Sequence, residues 1–267
     1  MPIKIIVCAK QVPDTNEIKI DPVKNTLIRE GVPSILNHDD ANALEEALRI
    51  KEMYPDTHIT VITMGPPQAK YMLIECMAMG ADDGILLSDR ALGGSDTWAT
   101  SNALAAAVKQ LGAYDLLFAG RQAIDGDTAQ VGPQLAEKLG IPQVTYVSGF
   151  EMEPDNKQIT VKRALEDGYE MIRIDMPCML TAIKELNVPR YMSINGIFNA
   201  FQREIPTWGA KELGVDVNRE VGLDASPTKV FKSFTPAPKA KGVMIEGDSD
   251  KELAERLLVH LKAKHVI

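Results

Sequence analysis

The stretch Gly120-Arg121-Gln122-Ala123-Ile124-Asp125-Gly126-Asp127-Thr128-Ala129-Gln130-Val131-Gly132-Pro133 leaves an apolar run and enters a helical pattern. Backbone N–H groups at a helix start point outward with partial positive charge, so such a passage suits a phosphate. Gly126 and Gly132 allow close backbone approach, and Thr128 and Gln130 add side-chain donors. The same residues also make sense as an ordinary strand-to-helix loop capped by Asp127 or Thr128, and spacing alone leaves both readings open. Neither the P-loop pattern nor G-x-G-x-x-G is present. A second cluster, Cys8-Ala9-Lys10-Gln11-Val12-Pro13-Asp14, directly follows the first apolar run. Lys10 could meet a phosphate or polarise a ring, or it could be a solvated loop lysine. Cys8 reads as a buried small residue, since nothing near it in sequence would lower its pKa.

A third cluster, Gly93-Gly94-Ser95-Asp96-Thr97, partly matches the Ser-Gly-Gly-x-Asp-Ser loop of ATP pyrophosphatases. Leu92 stands where that loop has its leading serine, and the segment follows the third apolar run, not the first. Ser95 or Asp96 would serve equally as a helix cap. Other chemistries find little support. The three cysteines and four histidines are scattered, without the spacing of a disulfide framework, a zinc site or an iron–sulfur cluster. The net charge of −8 and the isolated Trp98 and Trp208 argue against nucleic acid. No run approaches the ~20 apolar residues that span a bilayer, and the N-terminal run is too short for a signal-peptide core. The expected location is the cytoplasm. No general acid, base, nucleophile or metal ligand is assigned.

The elements that must position these clusters alternate. Ile3–Ala9, Ile59–Met64, Gly84–Leu87 and Tyr114–Ala119 read as buried strands. Between and after them, 41–53 (with Asp40 as N-cap), 68–79, 96–111 and a pattern through Val131, Leu135 and Leu139 read as helices. Strands alternating with helices predict a parallel sheet covered on both faces. In such sheets ligands bind outside the carboxyl ends of the strands, which selects the segments after Ala9, Met64, Leu87 and Ala119. Residues 159–161 and 172–174 predict a hairpin, and 177–182 one more buried strand. Beyond Pro189 the rhythm is lost; Ser226-Pro227 and 235–239 read as extended chain. A last helix carries a Ser249/Glu252 capping box and a stripe of Leu253, Leu257, Leu258 and Leu261. Such an arm cannot bury its own apolar face and must dock on this domain or on a partner.

Taken in order, the segments resemble the β subunit of electron transfer flavoproteins. The likeness rests on 7–15, Asn37-His38-Asp39-Asp40 (where His38 replaces a usual proline), Met64-Gly65-Pro66, and Gly120–Asp125 followed by Thr128–Gly132. It continues through 161–163, Glu166–Glu170, Pro177–Thr181 and Asn187-Val188-Pro189-Arg190-Tyr191. The resemblance implies an α/β fold, a parallel sheet flanked by helices with a C-terminal arm. Residues 1–190 would form the nucleotide- or flavin-binding domain. Residues 191–267 would form a partner-recognition loop and an arm docking on a larger, FAD-bearing α subunit. Some family members hold AMP structurally in this subunit. Others bind a second FAD that takes hydride from NADH and divides its electrons between a ferredoxin or flavodoxin and, through the α-subunit FAD, an acyl-CoA dehydrogenase-type flavoenzyme. The chain looks more like the latter, by Gly126-Asp127-Thr128, 94–100, Thr145-Tyr146-Val147 and Asn199-Ala200-Phe201-Gln202-Arg203. The resemblance implies cofactor-binding roles for Cys8, Ala9, Lys10, Asn37, Asp40, Met64, Asp96, Thr97, Gly120, Arg121 and Gln122. It implies the same for Gly126, Asp127, Thr128, Ala129, Gln130, Val131 and Gly132, and partner-binding roles for Tyr191 and Ile194.

Overall fold

The computed structural model describes residues 2–14, 33–153, 157–232 and 241–267. Thr15 of the opening motif and the extended stretch expected over 235–239 lie outside them. The first strand, β1 (Lys4–Cys8), is buried on both faces. Ile5 and Val7 enter one core with Leu44, Ala47 and Leu73, and Ile6 and Cys8 enter another with Ala103, Ala107 and Leu135. That two-sided burial is why the run is almost continuously apolar.

Short β2 (Gln11–Pro13) and β3 (Ser34–Leu36) pair antiparallel, a ladder that three-residue runs do not announce. Helix α1 (His38–Met53) begins earlier than expected, with Asn37 at the N-cap position. Asp40 is therefore no cap; it sits inside the first turn and is buried. Next come β4 (His58–Met64), α2 (Lys70–Met79), β5 (Asp83–Leu87), α3 (Thr97–Leu111), β6 (Leu116–Gly120) and α4 (Val131–Leu139). Gly80 closes α2 at φ 135°, where a side chain would be strained.

The later strands are β7 (Gln143–Met152), β8 (Gln158–Ala164), β9 (Tyr169–Asp175), β10 (Cys178–Ala182) and β11 (Thr207–Trp208). Nine strands form one sheet in the order β11-β5-β4-β1-β6-β10-β7-β8-β9. It is parallel from β11 to β7, and β8 and β9 add the expected hairpin antiparallel. The sequence reading left out β7 and β11; the two residues of β11 carry no periodicity. The chain runs outward from β1 to β4 and β5, then returns to place β6 on the other side of β1. The order reverses there, and in parallel sheets such a switch point makes the ligand crevice at the carboxyl ends of the two strands, here β1 and β6.

The last described segments are α5 (Ile194–Ala200), α6 (Ala210–Leu213), α7 (Gly222–Ala225) and α8 (Asp250–Ala263). Ala200, Ala210, Leu213 and Val221 are buried in the two cores. Packing therefore continues past residue 190 into the body of the sheet domain. Helix α8 buries no residue, and Leu257, Leu258 and Val259 stand exposed. No helix among the described residues is long and apolar enough to cross a membrane.

Candidate functional site

The crevice is organised from below by the first turn of α1. Asp40 Oδ1 accepts from the Gly120 N–H at 2.7 Å, and Oδ2 accepts from the Lys10 N–H at 2.8 Å. One buried carboxylate thus ties together the two loops that leave β1 and β6. Gly120 is required for this contact, since a Cβ there would lie 2.5 Å from Asp40 Oδ1. Asn37, fully buried, does the same work one turn earlier. Its N–H donates to the Lys10 carbonyl (2.9 Å), its Nδ2 to the Gln122 carbonyl (2.8 Å), and its Oδ1 accepts from Ile124 N–H (3.1 Å). Burial pushes the Asp40 carboxyl up to about 7, against the pull of the Gly120 and Lys10 N–H groups. Burial, with Asp40 nearby, pushes the Cys8 thiol up to about 12 and keeps it neutral. Ala9 is buried and pairs its N–H with the Ile62 carbonyl, and Met64 ends β4 at the same edge.

Above this floor sit two cations. Lys10 Nζ pairs with Asp125 Oδ1 at 2.6 Å, closing one loop onto the other. Arg121 lies 3.4 Å from Asp39 Oδ2, with its guanidinium carbon 5.6 Å from the Tyr146 ring centroid. Its Nε is buried yet makes no hydrogen bond. Tyr146 holds φ 57° beside the shift of register between β7 and β10, which turns it toward this edge. Burial raises the Asp39 carboxyl, and Arg121 opposes the rise.

The loop into α4 has the backbone of an anion cradle. Asp127 (φ 55°) and Ala129 (φ 52°) are left-handed, and Gln130 is right-handed at φ −113°, ψ −28°. Alternation of this kind turns successive N–H groups inward. Among the described residues, no hydrogen bond engages the N–H groups of Thr128, Ala129, Gln130, Val131 or Gly132. Neither Asp127 nor Thr128 caps α4, as the ordinary-loop reading required. Gln130 takes the N-cap position without a capping bond and instead accepts from Thr97 Oγ1 at 2.9 Å, while Asp127 accepts from the Gln122 amide. Around Gly126 there is open space, whereas Gly132 serves packing, because a Cβ there would lie 2.6 Å from Thr181 Cγ2. The donor set fits an anionic group, with five consecutive N–H groups that no bond engages and the cations Lys10 and Arg121 on the segments leaving β1 and β6.

Asp96 and Thr97 stand at the start of α3. Asp96 caps that helix through Ala99 N–H (3.0 Å) and receives Thr228 N–H and Oγ1 at 2.9 and 2.8 Å. Burial, which would raise its carboxyl, is outweighed by these bonds, and the group is held below the usual range. Its oxygens are engaged within the chain, and they join the start of α3 to the segment at Thr228. Thr97, through Gln130, ties α3 to α4.

Tyr191 and Ile194 lie elsewhere. Arg190 grips α1, with Nε and Nη2 on the two oxygens of Glu45 at 2.8 and 3.0 Å and Nη1 on Glu52 at 2.6 Å. Asn187 adds bonds to Glu46 (2.9 Å) and the Asn42 carbonyl (3.0 Å). The chain emerges from this clamp with Tyr191 97% and Ile194 87% exposed. Helix α5 rests on the end of α2, at the amino edge of β5, so this surface is on the far side of the sheet from the crevice. The sequence reading did not single out Asp39, Asp125, Thr181 or Thr228. Asp39 and Asp125 stood within quoted motifs, but their pairing needs the fold.

The model of the electron transfer flavoprotein domain matches residues 24–213. The chain is 58% identical over 264 residues to the "Caffeyl-CoA reductase-Etf complex subunit CarD" of Acetobacterium woodii, covering 99% of this chain and all of that one. It is 58% identical over 263 residues to the "Electron transfer flavoprotein subunit beta" of Clostridium acetobutylicum, covering 98% and 99%. It is 49% identical over 271 residues to the "Acryloyl-CoA reductase electron transfer subunit gamma" of Anaerotignum propionicum, covering 99% and 100%. With these relatives and the parallel sheet in hand, the chain belongs to the electron transfer flavoprotein family, among its β subunits.

Proposed function

We propose that this subunit binds FAD in the crevice between β1 and β6 and carries electrons within a heterodimer with an FAD-bearing α subunit. The observation that carries this reading is the row of unpartnered N–H groups from Thr128 to Gly132, in the loop that follows the strand end Asp40 and Asn37 tie to the Lys10 segment. Thr128 to Gly132 would hold the pyrophosphate. Cys8, Ala9, Lys10 and Met64 would line the wall, and Arg121 and Gln122 would reach toward the ring, with Asp96 and Thr97 behind them. When bound, FAD would supply hydride acceptance from NADH and one-electron delivery to two acceptors. The chain's own part is to orient the cofactor. Lys10 and Arg121, drawn from Asp125 and Asp39 toward the cofactor, would place positive charge that favours an anionic reduced ring.

The electrons would leave by two routes, one to a low-potential ferredoxin or flavodoxin and one through the α-subunit FAD to an acyl-CoA dehydrogenase-type flavoenzyme. The placement of Tyr191 and Ile194 supports the second route. A five-residue strand at ~3.3 Å per residue puts roughly 17 Å between the two edges of the sheet. A partner docked at the amino edge is therefore served by a flavin other than the one in the crevice. The arm over 241–267, with its unburied leucines, would clasp the α subunit in the cytoplasm.

The second reading, structural binding of AMP, draws on the same N–H groups, which suit one phosphate as well as two. Denaturing the purified heterodimer and counting released nucleotides separates them. Two FAD per heterodimer support the proposal, and one FAD with one AMP overturns it.

A further inference from the structure

The buried first turn of α1 does more than form a wall. Asp40 is buried and accepts from the N–H groups of Lys10 and Gly120, and the Asn37 side chain also favours its charged form. These two N–H groups belong to the two segments that bear the site's cations, Lys10 and Arg121. A Cβ on Gly120 would strike the same carboxylate at 2.5 Å, so the spacing is set by direct contact. We infer that Asp40 is a positioning residue. Its ionised carboxylate holds the Lys10 and Gly120–Gln122 loops at the separation the nucleotide needs, without touching the nucleotide. This inference rests on the crevice being a nucleotide site.

Two N–H donors facing one carboxyl group favour the ionised form, because the oxygen that takes up a proton becomes the poorer acceptor. The groups around Asp40 do not neutralise it. Asp39 is its neighbour on α1, and the Cys8 thiol on β1 and the Cys76 thiol on α2 are both kept protonated by burial. The nearby cations are engaged elsewhere, Lys10 with Asp125 and Arg121 with Asp39. The cost of the buried charge is seen in the carboxyl being pushed up to about 7. Protonation in that range would release one loop.

The test uses the intact heterodimer stripped of nucleotide. Dissociation constants for FAD and for AMP are measured by titration as pH falls through about 7. In the unsubstituted protein affinity should weaken as pH falls, with the midpoint near neutrality. Asp40→Asn keeps one acceptor but turns an amide N–H toward the other donor. It should bind about tenfold more weakly at alkaline pH and lose the pH dependence. Gly120→Ala, which strikes the same carboxylate, should reproduce the weakening. If Asp40→Asn does not fold, the pH profile of the unsubstituted protein still decides. A flat profile, or an unchanged affinity in Asp40→Asn, overturns the inference and leaves the site standing. Absence of binding by either nucleotide in the unsubstituted heterodimer overturns the site itself.

Discussion

Replacing Gly196 by alanine should perturb the surface proposed to meet the partner without changing any of its exposed side chains. A Cβ at this position would lie 2.1 Å from the Ala78 carbonyl oxygen and 2.8 Å from Ser193 Oγ, the cap of α5. Carbon contacts settle near 3.5 Å, so α5 must lift from α2 by about 1 Å. The Ala78 carbonyl belongs to the last turn of α2 and cannot yield cheaply. Farther along, Ala200 is buried and Arg203 donates to the Asp82 carbonyl, so the lift tilts the helix about a held end. Overpacking of this kind costs about 1–3 kcal/mol. The tilt displaces Ile194 and Phe198, which are 87% and 68% exposed and make up the outward face. An interface that loses ~1.4 kcal/mol of complementarity binds about tenfold more weakly. The assay is reduction of a partner acyl-CoA dehydrogenase by the heterodimer, read as half-saturation against dehydrogenase concentration. Bound nucleotide and the rate with an artificial dye should stay unchanged, because the crevice lies at the opposite edge. Unchanged half-saturation together with unchanged thermal stability would refute the reasoning that α5 is seated through Gly196.

Arg190→Ala should destabilise the protein by about 2–3 kcal/mol, measured by denaturant unfolding. It leaves the buried Glu45 without its bidentate partner, and the partial exposure of Arg190 keeps the loss at the lower end. The same pair depresses the Glu45 carboxyl through the Arg190 hydrogen bonds, which outweigh burial. Its stabilising share is therefore present above the ordinary carboxylate range and is lost as pH falls through the depressed value; Arg190→Ala should lack that acid limb. Asp40 contributes with the opposite sign. Its carboxyl is raised to about 7 in the folded chain, so nucleotide-free protein should lose stability as pH climbs from the unfolded value toward 7, and Asp40→Asn should reduce that slope. Ending the chain before residue 241 should leave the far-ultraviolet signature of the sheet domain in place while abolishing co-purification with the α subunit. Retained heterodimer on gel filtration would refute a clasping role for α8, which buries nothing within this chain.

Periodicity and punctuation determined the parallel sheet. Apolar runs such as Ile5–Cys8, broken by Gly65-Pro66-Pro67 and Gly80, are local signals, and short strands buried on two faces can be written in no other way. The Ser249 cap of the last helix was equally legible, because its hydroxyl meets the Glu252 N–H within one turn, while the Glu252 side chain accepts from the Asp248 N–H and leaves the reciprocal half of the box unmade. Residues in the loops after β1 and β6 could be named, since polar and glycine residues at strand ends stand out from their apolar flanks. Only the tertiary structure decided what those residues touch. Asp40 reads as a helix cap in sequence, yet α1 starts two residues earlier and turns its carboxylate onto backbone donors 30 and 80 residues distant. Gly132 reads as a phosphate glycine, and the fold adds a second demand on it, since α4 packs there against Thr181. Tyr146, φ-inverted beside Arg121, depends on a shift of register between strands that no local pattern encodes. Local order follows from neighbours along the chain, but a site assembled across strands depends on which strand ends the sheet order brings together.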